Sequence, residues 1–156
     1  MTDREFWKKL DEISRQEMSA MRELSFQSLL KEGYEENRGI LIACFYDRRF
    51  PGMAKQAYIE LDGGRYMICY TSKKAAKRVR ESDDWAVASL RDILNNFFNK
   101  DAAAGLLFNP YCENMMIVPK LLLEILMPGD KEKPPFYRGL FHIGFVLLTS
   151  CLRRGA

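Results

Sequence analysis

From Asp3 to about Lys31 the apolar residues Phe6, Leu10, Ile13, Met21 and Leu24 recur at helical spacing, and Trp7 and Met18 widen the stripe. The pattern predicts one long helix, broken near Ser19 or Ser25 and ended by Gly33, Asn37 and Gly39. Its charged face is expected to be solvated, with partner docking as the alternative for a helix that carries Met and aromatic residues. Ile40 to Tyr46 is rich in branched and aromatic residues and predicts the first strand, followed by a polar loop over Asp47 to Gly52. Tyr58 to Leu61 and Arg65 to Tyr70 flank Asp62-Gly63-Gly64, where the glycines supply the positive φ of a tight hairpin. Thr71 or Ser72 caps a helix from Lys73 to about Arg80. Ser82, Asp83 and Asp84 end that helix, and Trp85 to Ala88 is a short strand.

The stretch from Ser89 to Met127 carries the densest local signals. Ser89 and Asp92 have capping-box spacing, and an acid in the first turn suits the helix dipole. Leu90, Ile93, Leu94, Phe97 and Phe98 then form one apolar stripe. Gly105 fits the end of the helix or its loop, and Leu106-Leu107-Phe108 reads as a strand buried on both faces. Asn109-Pro110 turns the chain, since proline fixes its own φ and moves the preceding residue out of the helical region. Met115 to Val118 returns as a strand, Pro119 opens a helix from Lys120 to Met127, and Pro128-Gly129 stops it. The predicted order is α, β, β, β, α, β, α, β, β, α: a mixed α/β (α+β) chain with a single mixed sheet of about five to six strands covered by helices.

Past Pro128 the pattern changes. Asp130 to Pro135 is a stiff, charged linker, and the uncharged run from Gly139 to Leu152 is shorter than the roughly 20 residues a spanning helix needs. That segment is expected to pack on the domain or on a second copy, with membrane-surface attachment through Phe136 to Arg154 as the alternative. Three parts follow: an amino-terminal helical segment (1–37), an α/β core (38–127), and a linker with an apolar extension (128–156).

The run Gly105 to Pro110 with the strand and Leu-rich helix after it, together with Tyr70-Thr-Ser-Lys-Lys-Ala-Ala76, resembles the amino-terminal domain of the SseB family. The resemblance spans roughly residues 38 to 127. That family takes its name from an enhanced-serine-sensitivity phenotype and has no assigned molecular function. The resemblance therefore implies a bacterial α/β domain and carries over no catalytic residue. Unlike the longer family members, this chain leaves no room for a second full domain after residue 130.

Composition narrows the function classes. At 156 residues and 47% hydrophobic content, one domain with an ordinary core accounts for the chain without metal or disulfide staples. Cys44, Cys69, Cys112 and Cys151 are far apart and form no C-x-x-C pair, which excludes zinc-ribbon and thioredoxin-like readings and suits a reducing cytoplasm. The charged amino terminus has no signal-peptide character. Net charge is +3, but residues 1–37 hold six Lys/Arg against nine Asp/Glu while the remainder holds eighteen against twelve.

Candidate chemistry is sparse. His142 is the one histidine, set in an apolar run where packing is the simpler role. No G-x-S-x-G, phosphate loop or G-x-G-x-x-G occurs. Lys73, Lys74, Lys77, Arg78 and Arg80 form a basic run on a predicted helix, able to meet phosphate or an acidic protein surface, although a solvated helix face explains it as well. Asn109, with Pro110 and Tyr111, lies at the end of a buried strand, where α/β folds place ligands; capping its own turn is the competing role. The expectation is a cytoplasmic, non-enzymatic protein-interaction or regulatory binding module. No cofactor, metal or specific nucleic acid is expected, and the partner is another protein or a second copy. A small-ligand or enzymatic pocket near Asn109 is the alternative.

Overall fold

Ser19 divides the long predicted helix in two. Its hydroxyl accepts the Arg22 N–H at 3.1 Å and starts a new helix, so α1 (Asp3–Ser14) and α2 (Ala20–Glu35) are separate elements joined by a short loop. The stripe fails across that break. In α2 the buried positions are Arg22, Phe26, Leu29, Leu30 and Gly33, whereas Met21 and Leu24 face out. The computed structural model describes residues 1–46, 48–49, 54–78, 84–100 and 103–126, excepting the side chains of Ala54 and of residues 96–100. The predicted linker and apolar extension, His142 and Arg80 lie outside that set.

Asn37, not a glycine, ends α2. It takes the left-handed conformation at φ 54°, its N–H donates to Tyr34 O at 3.1 Å, and Arg38 N–H reaches Gly33 O at 2.7 Å, which closes a Schellman motif. Gly33 has a packing role instead: a Cβ there would lie 2.4 Å from Cζ of Phe6 in α1.

The strands are β1 (Gly39–Tyr46), β2 (Ala54–Gln56), β3 (Tyr58–Leu61), β4 (Gly64–Tyr70), β5 (Asp84–Ser89), β6 (Gly105–Phe108) and β7 (Met116–Pro119). They form one mixed sheet of seven strands. The short β2 is the strand that the sequence does not announce. It pairs with the far end of β1, while β5 runs along the other side of β1. The β1 and β4 strands pair directly only at Leu41↔Tyr70 and Ile42↔Cys69, then separate around the segment from β2 to β3. Ala57 bridges both, its N–H donating to Ala43 O and its carbonyl accepting Ile68 N–H. The β3–β4 hairpin turns on Asp62 (φ 50°) and Gly63 (φ 76°), the two positive values a two-residue turn of this hand requires.

β4 and β6 are parallel neighbours, and β7 returns antiparallel to β6. The crossover between them passes through α3 (Lys73–Ala76), β5 and α4 (Leu90–Lys100). Ser72 caps α3 by accepting Ala75 N–H, but this helix stops at Ala76, well short of the predicted Arg80. Ser89 caps α4 as its spacing predicts, accepting Asp92 N–H at 3.3 Å. α5 (Lys120–Leu126) follows β7 directly.

Alternation along the strands divides the core. Ile40, Ile42, Leu106 and Phe108 face the larger cluster with Phe6 and Leu10 of α1 and Phe26 and Leu30 of α2. The ring of Phe26 meets Phe108 edge-on at 5.1 Å between centroids. Leu41, Ala43, Ile68 and Tyr70 face the smaller cluster under α3. Thus the amino-terminal helices are part of the main core of the sheet.

Candidate functional site

The parallel pair β4 and β6 ends at Thr71 and Asn109, and the chain leaves both strands at the same edge. Asn109 N–H still donates to Cys69 O at 2.9 Å, extending the ladder one residue beyond β6. Its backbone is left-handed, φ 55°, a conformation asparagine tolerates better than other non-glycine residues. The side chain is fully buried and crosses to the neighbouring strand end: Oδ1 accepts Thr71 N–H at 2.9 Å, and Nδ2 donates to Thr71 Oγ1 at 2.9 Å. Asn109 thus ties two strand ends together rather than only capping its own turn. Pro110 is buried beside it.

Thr71 extends the network to α1 by donating its hydroxyl to Asp11 Oδ1 at 2.6 Å. Asn114, 7% exposed, donates to Ser14 Oγ at 2.9 Å, and Ser14 in turn donates to Asp11 O. Arg15 closes the other side of Asp11 with Nε 2.7 Å from Oδ2. That hydrogen bond first, and the Asp11 charge second, raise the Arg15 pKa against a smaller opposing effect of burial. Three segments distant in sequence are therefore held together by uncharged side chains around one carboxylate.

Above this network lies a cleft of about 660 Å3. One wall is the end of α1, the loop that follows and the first turn of α2, with Ser14, Arg15, Gln16, Met18 and Arg22. The second is Lys74, Ala75 and Arg78 on and just after α3, and the third is the β6–β7 turn from Tyr111 to Asn114. Four basic residues line it against one acid, Glu113. Arg22 is the best-buried cation, 6% exposed; its guanidinium donates to Ser14 O at 3.3 Å and Gln16 O at 3.4 Å, satisfying carbonyls at the end of α1, and pairs with Glu23 at 3.2 Å. Its Nε is buried without a partner. Arg22 fixes the loop, and its charge is balanced by Glu23. Lys74 and Arg78 are exposed, one helical turn apart, and enter no salt bridge among the described residues.

The structure sorts the sequence candidates. Lys74, Arg78 and Tyr111 converge on the cleft. Lys73 turns away, its Nζ 4.7 Å from the Trp85 ring centroid, and Lys77 is exposed outside the lining. Asn109 and Pro110 lie beneath the cleft rather than in it. Arg15, Arg22 and Glu113 are additions to the predicted set. For Arg22 a signal existed: it stands four residues before Phe26, seven before Leu29 and eleven before Gly33, on the buried face of α2.

Cys112 also lines the cleft and is half-buried, whereas Cys44 and Cys69 are buried and desolvation pushes the Cys69 thiol far up. With neutral iodoacetamide on the native chain, peptide mass mapping is expected to find Cys112 alkylated while Cys44 and Cys69 stay unmodified until denaturant is added. Early labelling of Cys69 would contradict its placement in the core.

Among the described residues there is no cluster of three or more His, Cys, Asp or Glu suited to a metal, and no helix long and apolar enough to cross a membrane. The fold and site define an α+β domain with a basic cleft at the carboxyl ends of two parallel strands. No family model, curated protein or solved structure matches the chain.

Proposed function

We propose that this chain is a non-enzymatic binding module whose cleft holds an anionic group. One observation carries the reading: Lys74 and Arg78 project, without salt-bridge partners among the described residues, into a recess also lined by Arg15 and Arg22, whose charges are paired with Asp11 and Glu23. Opposite charges in a concave, partly desolvated site attract more strongly than on an open surface. The walls are fixed before any ligand arrives, because Asp11, Thr71, Asn109 and Asn114 bond them to one another.

Titration with inorganic phosphate at constant ionic strength, followed by backbone amide shifts, tests the proposal. Shifts are expected at residues 14–18, 74–78 and 111–114, and the combined Lys74→Ala and Arg78→Ala substitution should weaken the response at least tenfold. Shifts scattered over the surface, or unchanged in that variant, would remove the anion site.

A further inference from the structure

The sequence places Met21 and Leu24 in the apolar stripe of the first helix, yet the fold gives their buried positions to Arg22 and Phe26. Met18, Met21 and Leu24 are 82%, 70% and 60% exposed. Spaced by threes, they lie on one side of the start of α2, and Met18, just before the Ser19 cap, is itself part of the cleft wall. Across the cleft stands Tyr111, 63% exposed. A line of flexible and aromatic apolar side chains thus leads into a basic recess. Met, Tyr and Arg are residue types enriched where proteins meet, and methionine adapts its shape to varied partners.

We propose that Met18, Met21, Leu24 and the cleft form one docking surface for an acidic peptide segment of another protein. Apolar side chains of the segment lie along α2 and an Asp or Glu side chain enters between Lys74 and Arg78. This inference rests on the anion-binding reading and adds the partner class. Charge argues against two other occupants. Residues 128–156 of the chain carry five basic residues against two acidic ones, the same sign as the cleft. A flat anionic membrane would also meet the exposed carboxylates of Glu113 in the lining and of Glu17, next to Met18 in sequence, while a single peptide strand has a footprint narrow enough to avoid them.

A random twelve-residue peptide library panned on the full chain tests the surface, followed by synthesis of the enriched peptides. Enrichment of Asp or Glu flanked by Leu, Ile, Phe or Met is expected. The combined Met21→Ser and Leu24→Ser substitution, at exposed positions, should weaken the synthetic peptide about tenfold or more while phosphate binding and melting stay unchanged. Lys74→Glu with Arg78→Glu should abolish both ligands. Phosphate binding without any enriched acidic peptide overturns this inference and leaves the anion site standing; loss of phosphate binding as well removes both. Two further outcomes also overturn it: a dimer in sedimentation that Met21→Ser and Leu24→Ser dissociate, making a second copy the occupant, or binding to phosphatidylglycerol vesicles that the same substitutions abolish.

Discussion

Asn109→Asp is expected to destabilise the folded chain by about 3 kcal/mol or more at neutral pH, although it adds no bulk. The new carboxylate can still accept Thr71 N–H, but it loses the Nδ2 donor. Thr71 Oγ1 already donates its hydrogen to Asp11 at 2.6 Å, so a second carboxylate oxygen would face a lone pair. The charge would also be fully buried, with the Asp11 carboxylate only one hydroxyl away. Burial and like charge both raise the folded-state pKa of such a group above its unfolded value. By linkage, protonation then favours the folded state, so the deficit should be full above the folded pKa and narrow as pH falls toward the unfolded one. Urea unfolding at neutral and mildly acidic pH measures it. Asn109→Gly separates the charge from the rest: it keeps the left-handed backbone and loses the side-chain bonds and buried volume without adding a carboxylate, so its loss of about 1 to 3 kcal/mol or more should not depend on pH. An unchanged midpoint in both variants would mean that the strand ends do not depend on this residue.

Phe6→Ala should cost about 3 to 5 kcal/mol, the usual range for emptying a fully buried aromatic site. Its ring lies against the bare backbone of Gly33, where a Cβ would come within 2.4 Å of Cζ, and α1 touches α2 through this contact. Gly33→Ala alone should also destabilise, because the clash outweighs the roughly 1 kcal/mol that alanine gains over glycine in a helix. Together the two changes should be less harmful than their sum, since the added methyl enters space the ring has left. Strict additivity by chemical denaturation would disprove the contact. Because α1 also carries Asp11, Ser14 and Arg15, loosening its base should weaken anion binding along with stability.

Much of the architecture was legible because local signals agree with one another. The hairpin at Asp62-Gly63, the Ser89 cap and the apolar Leu106 to Phe108 strand each follow from residues close in sequence. The break between α1 and α2 was less clear, since Met18, Met21 and Leu24 continue the helical spacing across it and mask the fact that their burial does not continue. β2 escaped because a three-residue edge strand, Ala54-Lys55-Gln56, needs neither alternation nor bulk when β1 supplies its partner. The cleft was only partly visible. Lys74, Arg78 and Tyr111 stood out as a basic run and a turn, but their meeting with Arg15 and Arg22 joins positions far apart along the described chain, which no local pattern records.

The hydrogen bonds at Asp11 span long stretches of chain, 60 residues to Thr71 and 103 to Asn114. An anion entering this recess would find its walls already set. The polar bonds hold the backbone of the walls, so the freedom an anion would freeze is that of the exposed Lys74 and Arg78 side chains, and selectivity among anions should follow from charge spacing more than from rearrangement of the walls.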